Sequence, residues 1–198
     1  MRKEIYISLD VEADGPIPGP YSMSSFGAAV SGSLSKDGTV ERFSPTKENT
    51  FYTELKPISD NFVPEAAAVS GLDRAELIAN GEDPTQAMNR FYAWVKQMQE
   101  KYEASGAVIV GYPVVYDWLW LYWYLMSFSE NGSPFGHSRA IDAKTTYSVK
   151  GKALLIDSVK SRMPKHLMSK RPHTHNGLDD AIEQGEMYMN LVEWEGKN

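Results

Sequence analysis

The stretch IYISLDVEADGPIPGP, residues 5–20, carries the first side chains that could do chemistry. Its apolar residues alternate as in a β-strand, and that strand places Asp10 and Glu12 on one face because successive side chains point to opposite faces. Two like charges on one face repel each other and resist burial. A divalent cation would offset the repulsion, since Mg²⁺ prefers oxygen ligands. The alternative is a pair of carboxylates on an exposed sheet face, so the interpretation needs a further ligand.

Asp117 is one candidate for that ligand. It lies near the start of VVYDWLWLYWYLMSF, residues 114–128, at the head of an apolar face with helical spacing. A carboxylate there must be paired, protonated, bound to metal or used as a cap. Capping stays open, because Pro113 indicates a nearby helix start and an acid in the first turn complements the helix dipole. The predicted face consists of Asp117, Trp120, Leu121, Tyr124, Leu125 and Phe128.

A further group lies in HTHNGLDDAIEQ, residues 173–184. Asn176 has the character of a helix N-cap, so His175 lies in the loop before the last helix and Asp180 near its first turn. Asp180 falls off the predicted apolar face, which fits a carboxylate that lines a wet cleft and equally a solvated one. That face consists of Leu178, Ala181, Ile182, Gly185, Met189 and Val192.

Composition limits the classes of protein. The chain has 198 residues, 42% hydrophobic and 23% charged, which is typical of one soluble globular domain. The absence of cysteine excludes disulfides and thiolate metal sites and favours a reducing compartment. We find no signal-peptide core and no apolar run near the ~20 residues of a membrane span, so we expect a cytoplasmic protein that does not enter the membrane.

Charge is unevenly distributed. The net charge of −6 argues against broad wrapping in nucleic acid but leaves a local site open. The segment 160–175 contains five basic residues and no acid, for which a solvated loop is the ordinary interpretation.

The elements that must position these residues alternate between strands and helices. We expect strands at 4–11, 22–32, 107–112 and near 139–142, with an interrupted strand within 39–57. We expect helices at 83–104, 114–128 and 176–194, and a short helical piece at 64–71. Antiparallel-looking strands followed by alternating helices and strands predict an α/β fold with a mixed sheet.

Three motifs occur in order: LDVEADG (9–15), GYPVVYD (111–117) and HNGLDDA (175–181). With them the chain resembles the DnaQ-like 3′–5′ exonucleases of the DEDDh type, the family of polymerase proofreading subunits, ribonuclease T and oligoribonuclease. The third motif is the most specific, and further matches between the motifs extend the resemblance over nearly the whole chain. The resemblance implies a ribonuclease-H-like fold, a mixed β-sheet flanked by helices, in a single exonuclease domain at residues 1–198.

The resemblance also implies the roles of the site residues. Asp10, Glu12 and Asp180 would bind one Mg²⁺ or Mn²⁺ ion, with Asp10 bridging to a second ion that Asp117 supports. Two such ions, ~3.5–4 Å apart, clamp a scissile phosphate. His175 would be the general base, since an imidazole titrates near neutral pH; His173 stands two residues too early. The substrate would be the 3′ end of single-stranded DNA or RNA.

The resemblance suggests substrate contacts as well. Tyr21, Met23 or Phe26 could line the pocket for the terminal base by stacking, although apolar residues at a strand are often core. Lys170 and Arg171, in the basic segment that leads to His175, could hold backbone phosphates. Helix 114–128 is apolar almost all round, so it could also contribute a homodimer interface.

Two departures and two rival functions stay open at this point. Tyr112-Pro113 stand where the family usually has His-Asn, and Ser70 stands where it often has His, which puts the substrate preference in question. A haloacid-dehalogenase-type phosphatase would need a second Asp and a following Thr near Asp10, and it would leave the third motif unexplained. A catalytically silent nucleic-acid-binding module of the same fold is the other rival, although all five catalytic positions are occupied.

Overall fold

The computed structural model describes residues 2–197, and its centre is a six-stranded mixed sheet. The strands are β1 (Lys3–Ala13), β2 (Met23–Ser35), β3 (Val40–Arg42), β4 (Thr50–Glu54), β5 (Gly106–Gly111) and β6 (Ala140–Asp142). Their order in the sheet is β3-β2-β1-β5-β6, with β4 also paired to β2. β1 is antiparallel to β2 and parallel to β5, so it is the central strand. The expected mixed α/β sheet is confirmed.

The helices cover both faces of this sheet. They are α1 (Pro64–Ala67), α2 (Arg74–Asn80), α3 (Pro84–Lys101), α4 (Val114–Phe128), α5 (Ala143–Gly151) and α6 (Gly177–Glu193). The sequence predicts α3, α4 and α6, and the predicted bounds of α4 are the observed ones. It does not predict α2 or α5. α2 is short and has one buried residue, Leu77, so it carries little apolar periodicity. Within residues 2–197, no helix is both long and apolar enough to span a bilayer.

The interrupted strand becomes two separate strands. β3 and β4 both pair with β2, and Pro45 lies between them. A proline has no amide hydrogen for the ladder, so a break at this position agrees with its chemistry.

β1 contributes to a hydrophobic core on each side of the sheet. Ile5, Ile7 and Leu9 pack with α3 and α4, whereas Tyr6 packs with α6. Fully burying an aliphatic side chain stabilises the fold by about 1.5–3 kcal/mol, so both faces of β1 are firmly held. Even-numbered residues of β1 therefore face α6, and Asp10 and Glu12 lie on this face.

The buried face of α6 is broader than the sequence predicts. Of the predicted face, Ala181, Gly185 and Met189 are buried, whereas Leu178, Ile182 and Val192 are only half-buried. The helix packs along β1 and β2, which turns a neighbouring face inward. That face consists of Asp180, Gln184, Met187 and Leu191. Asp180 is 2% exposed, so the alternative of a solvated carboxylate is wrong.

Candidate metal-binding and exonuclease site

β1 and the first turn of α6 bring three carboxylates together. One oxygen each from Asp10, Glu12 and Asp180 lies within 4.8 Å of the other two. Asp10 and Glu12 are half-buried, and Asp180 is buried. Oxygen donors at this spacing suit a hard cation such as Mg²⁺ or Mn²⁺. The three residues therefore fit a divalent ion.

The close approach of α6 to the sheet places Asp180 opposite β1. A Cβ at Gly27 of β2 would clash with the backbone of Gly177, so the start of the helix can rest here only on a glycine. One turn beyond Asp180, the Gln184 side chain donates a hydrogen bond to the carbonyl oxygen of Leu9 at 2.8 Å. These contacts fix the helix against the strand that carries the other carboxylates.

The loop before α6 orients the Asp180 carboxylate. The backbone amides of Thr174 and His175 donate to its two oxygens at 2.8 and 2.7 Å. Asn176 caps the helix as predicted, with its side chain accepting from two first-turn amides. A carboxylate has about four lone-pair sites, so these amide bonds leave room for a cation.

Asp117 is buried beside the same strand. Its Oδ1 accepts a hydrogen bond from the backbone amide of Val11 at 3.2 Å, and no side chain caps α4 at its N-cap Pro113. The first-turn amide of Val114 instead donates to Asp142 Oδ2 at 2.8 Å. Asp117 lies in the first turn of α4, where its charge complements the helix dipole, so the structure agrees with that part of the capping alternative, but Asp117 is not the N-cap of this helix. Asp117 lies outside the three-carboxylate group defined above among the described residues.

Burial and mutual repulsion raise the pKa values of these carboxyl groups. Burial, followed by the charges of Glu12 and Asp180, raises the pKa of Asp10 to about 8. Burial and then Asp180 raise the pKa of Glu12 to about 7. Burial, followed by the charge of Asp10, raises the pKa of Asp117 well above its ordinary value. Without a cation the cluster retains protons near neutral pH, and a divalent ion would displace them.

Two exposed histidines lie beside this cluster. His173 Nδ1 is 3.2 Å from Asp180 Oδ2, whereas His175 contacts Asp180 through its backbone amide. The centroids of the two imidazole rings are 4.5 Å apart. His175 has a φ of 57°, in the left-handed region that few residues other than glycine adopt. The structure thus brings the predicted base to Asp180 together with a second imidazole.

The residues predicted to bind the terminal base do not all reach the surface. Met23 and Phe26 are fully buried, and Phe26 packs against Phe51 and Phe91. The expectation that they line a substrate pocket is therefore wrong, because β2 turns them into the core. Tyr21 is half-buried and its ring packs against Gly15, at the end of β1.

The predicted phosphate-binding residues lie along α6. Lys170 and Arg171 are exposed and line a groove of about 950 Å³ beside the helix. Arg171 Nε donates to Glu186 Oε1 at 2.8 Å, so this arginine is partly neutralised. The groove lies beside the loop that leads to His175.

Sequence reasoning missed a buried ion pair at the end of β1. Asp14 is 2% exposed and accepts hydrogen bonds from the Ser22 amide at 2.6 Å and from Arg74. Arg74 also donates to the carbonyl oxygen of Ser59. This guanidinium ties α2 and the preceding loop to the strand that carries the metal-ligand candidates. The sequence suggests only a turn at Asp14, since its partner lies 60 residues away.

A second missed contact involves Tyr112, one of the residues at which the chain departs from the family motif. The Tyr112 hydroxyl donates to the carbonyl oxygen of Ser158 at 2.6 Å, and Lys160 lies 5.6 Å from the centroid of its ring. Lys160 pairs with Glu183, a buried carboxylate one turn after Asp180 on α6. Its charge partly offsets the rise that burial causes in the pKa of Asp10. Tyr112 thus anchors the segment that brings a cation near the carboxylates.

Comparison with known proteins supplies a curated relative and several solved structures. No family model matches the chain. The 3′-5′ DNA exonuclease Cap18 of Escherichia coli is 35% identical over 186 residues, which cover 94% of this chain and 90% of that protein.

Three solved structures share the fold. The nuclease domain of 3′hExo, a DEDDh family member bound to rAMP, matches with a TM-score of 0.68 and 13% identity over 98% of this chain and 94% of that chain. Cell-death related nuclease 4 matches with a TM-score of 0.63 and 11% identity, over 97% of this chain and 64% of that chain. Escherichia coli Exonuclease I in complex with a 5cy-dA13 oligonucleotide matches with a TM-score of 0.52 and 16% identity, over 98% of this chain and 40% of that chain.

The two kinds of likeness answer different questions. The solved structures, at 11–16% identity, confirm the expected ribonuclease-H-like fold. The curated relative, at 35% identity over most of both chains, establishes the family. The chain is an exonuclease and belongs to the DnaQ-like 3′–5′ exonucleases of the DEDDh type.

Proposed function

We propose that this exonuclease removes nucleotides from the 3′ end of single-stranded nucleic acid in a reaction that requires divalent metal ions. The observation that carries the proposal is the convergence of Asp10, Glu12 and Asp180 within 4.8 Å. DNA is the first substrate to test, because the similar Cap18 is named a DNA exonuclease. RNA is the second, because the 3′hExo domain of the same fold binds rAMP.

The carboxylates are assigned to two ions. Asp10, Glu12 and Asp180 would hold one Mg²⁺ or Mn²⁺ ion, and Asp10 with Asp117 would hold another. When bound, such ions stabilise the negative charge that develops on a phosphodiester during hydrolysis. The protein's part is to keep its oxygens in place: β1 is a central strand, and amide hydrogen bonds fix the carboxylates of Asp117 and Asp180.

His175 is assigned as the general base. Its ring is exposed next to the carboxylates, and its backbone amide is bonded to Asp180 at 2.7 Å. It would accept a proton from the water whose oxygen bonds to phosphorus. The bond from phosphorus to the 3′ oxygen of the shortened strand breaks, and that oxygen takes a proton from solvent to become a hydroxyl. Histidine is the side chain that most often serves as a general base in enzymes.

The remaining assignments concern contacts outside the reacting atoms. Tyr21 would contact the terminal base, and Lys170 and Arg171 would contact backbone phosphates. A homodimer would use the outer side of α4, where Val115 and Met126 are 70% and 55% exposed. The single-domain organisation and the cytoplasmic location stay predictions from the sequence.

The experiment digests 5′-labelled single-stranded DNA and RNA oligomers with Mg²⁺ or Mn²⁺ and then with EDTA. We expect a ladder that shortens from the 3′ end and that disappears in EDTA and in Asp180→Asn. Asp179→Asn is the matched control, because Asp179 is the exposed neighbour of Asp180 in the same helical turn.

Three outcomes would contradict the proposal. Internal cleavage products would replace it with an endonuclease. Binding of oligomers without any cleavage would favour the catalytically silent module. Hydrolysis of a phosphomonoester without activity on oligomers would favour the phosphatase.

A further inference from the structure

The loop before α6 and the first turn of this helix contain a second set of metal-ligand donors that overlaps the first. His173, His175 and Asp180 each offer one donor atom within 4.8 Å of the other two. His173 Nδ1 is 3.2 Å from Asp180 Oδ2, and the two imidazole centroids are 4.5 Å apart. His173 has no part in the proposed hydrolysis, so its place in this cluster needs an explanation.

The distances suit a small tetrahedral ion. Zinc bonds of about 2.0–2.1 Å to nitrogen and oxygen place two ligand atoms of a tetrahedron about 3.3 Å apart. The His173–Asp180 distance of 3.2 Å is close to this value. Both imidazoles are exposed, so the ring of His175 can rotate toward the same point without disturbing packed neighbours.

The donor atoms distinguish this set from the carboxylate cluster. Two imidazole nitrogens with one carboxylate oxygen favour Zn²⁺, whereas the oxygens of Asp10, Glu12 and Asp180 favour Mg²⁺ or Mn²⁺. Asp180 belongs to both sets. An ion in one set would therefore alter the other.

The shared carboxylate is already oriented for such a role. The amides of Thr174 and His175 hold its two oxygens, and hydrogen bonds of this kind fix the direction in which a ligand presents its lone pairs. These amides belong to the same short segment as the two histidines, so all three ligands are positioned by one loop and one helix turn.

We propose that His173, His175 and Asp180 bind Zn²⁺ and that this ion inhibits the exonuclease. The proposal rests on the proposed function, in which His175 accepts the proton and Asp180 holds the catalytic ion. Zn²⁺ would occupy the lone pair of the His175 imidazole that otherwise accepts the proton, and it would also bind an oxygen of Asp180. His173 completes the site, so Zn²⁺ inhibition depends on a residue that hydrolysis does not use.

The direct test measures Zn²⁺ affinity of the metal-free protein by competition with a chromogenic chelator. We expect the wild type and His137→Gln to bind Zn²⁺ alike, because His137 is an exposed histidine outside the cluster. His173→Gln and His175→Gln should each weaken binding at least about tenfold. Equal affinity in all four proteins would overturn the proposal.

The second measurement follows Mg²⁺-dependent digestion as Zn²⁺ is raised, with each protein normalised to its own zinc-free rate. We expect the inhibiting concentration to be at least about tenfold higher for His173→Gln than for the wild type and His137→Gln. Unchanged inhibition of His173→Gln, relieved by excess Mg²⁺, would place Zn²⁺ at the carboxylate cluster and overturn the proposal. Zn²⁺ binding through His173 in a protein without exonuclease activity would overturn the proposed function and support the zinc site.

Discussion

Asp10 offers a direct test of how the protein tolerates its carboxylate cluster. Burial, followed by repulsion from Glu12 and Asp180, raises the pKa of Asp10 from 3.8 to about 8. An acid whose pKa is higher in the folded state opposes folding once the unfolded chain ionises. The metal-free protein should therefore be most stable below about pH 4 with respect to this group and lose that stability as the pH rises to about 8.

The magnitude follows from proton linkage. Each pH unit in this window removes about 1.4 kcal/mol per proton that only the folded state retains. At pH 7 the upper limit for Asp10 is about 4 kcal/mol, and partial exposure to water reduces it to about 2 kcal/mol. Asp10→Asn keeps the shape of the side chain and removes its charge. In EDTA near neutral pH, this variant should melt about 4–8 °C above the wild type.

The assay is thermal unfolding in EDTA at pH 5 and pH 7.5, repeated with Mg²⁺. The stability advantage of Asp10→Asn should shrink at pH 5, because that pH is only about one unit above the ordinary pKa of 3.8 and the unfolded wild type gains little by ionising. Mg²⁺ at about 100 times its Kd should stabilise the wild type by about 2.7 kcal/mol and the variant by less. Asp60→Asn, at an exposed loop position, is the control and should match the wild type. An Asp10→Asn protein that is less stable than the wild type in EDTA at pH 7.5 would refute the electrostatic reasoning.

Three further substitutions test other parts of the structure. His175→Gln should lower kcat by about 10²–10⁴-fold with an unchanged Tm, because its exposed ring contributes little packing; single-turnover digestion would show this, and near-normal turnover would exclude a base role. Arg74→Ala leaves Asp14 buried without its partner and should lower the free energy of unfolding in urea by about 3–5 kcal/mol, with Arg74→Lys losing less; equal losses would mean that the charge pair is unimportant. Gly27→Ala should lower both the Tm and the Mg²⁺-dependent stabilisation, because its Cβ would push α6 off β2; a protein that keeps normal metal stabilisation would show that the helix can shift without moving Asp180.

The features that sequence reasoning predicted depend on local periodicity. The alternation of β1 places Asp10 and Glu12 on one face, and the structure has both on the side of α6. Helical spacing in α4 predicts a buried face that is confirmed from Asp117 to Leu125, while Phe128 at the helix end is half-buried. Short-range sterics and hydrophobic patterning decide these features, so a single sequence suffices.

The features that it missed are set by tertiary packing. The burial of Asp180 depends on which side of α6 rests on the sheet, and a close contact at Gly27 decides that. The Arg74–Asp14 pair joins residues that are 60 positions apart, and no local pattern signals it. The sequence leaves open whether Met23 lines a base pocket or the core, because apolar residues at a strand can do either, and only the packing of β2 distinguishes the two.

The order of the site along the chain has a consequence for biosynthesis. Among the described elements, β1 with Asp10 and Glu12 is translated first, and the helix that carries Asp180 is translated last. Gln184, which fastens that helix to β1, bonds to a residue 175 positions earlier. Contacts over such separations close late in folding. A nascent chain whose α6 is still inside the ribosome would therefore lack a complete site and could not cleave nearby nucleic acid. Activity would begin only after α6 has been synthesised and has emerged.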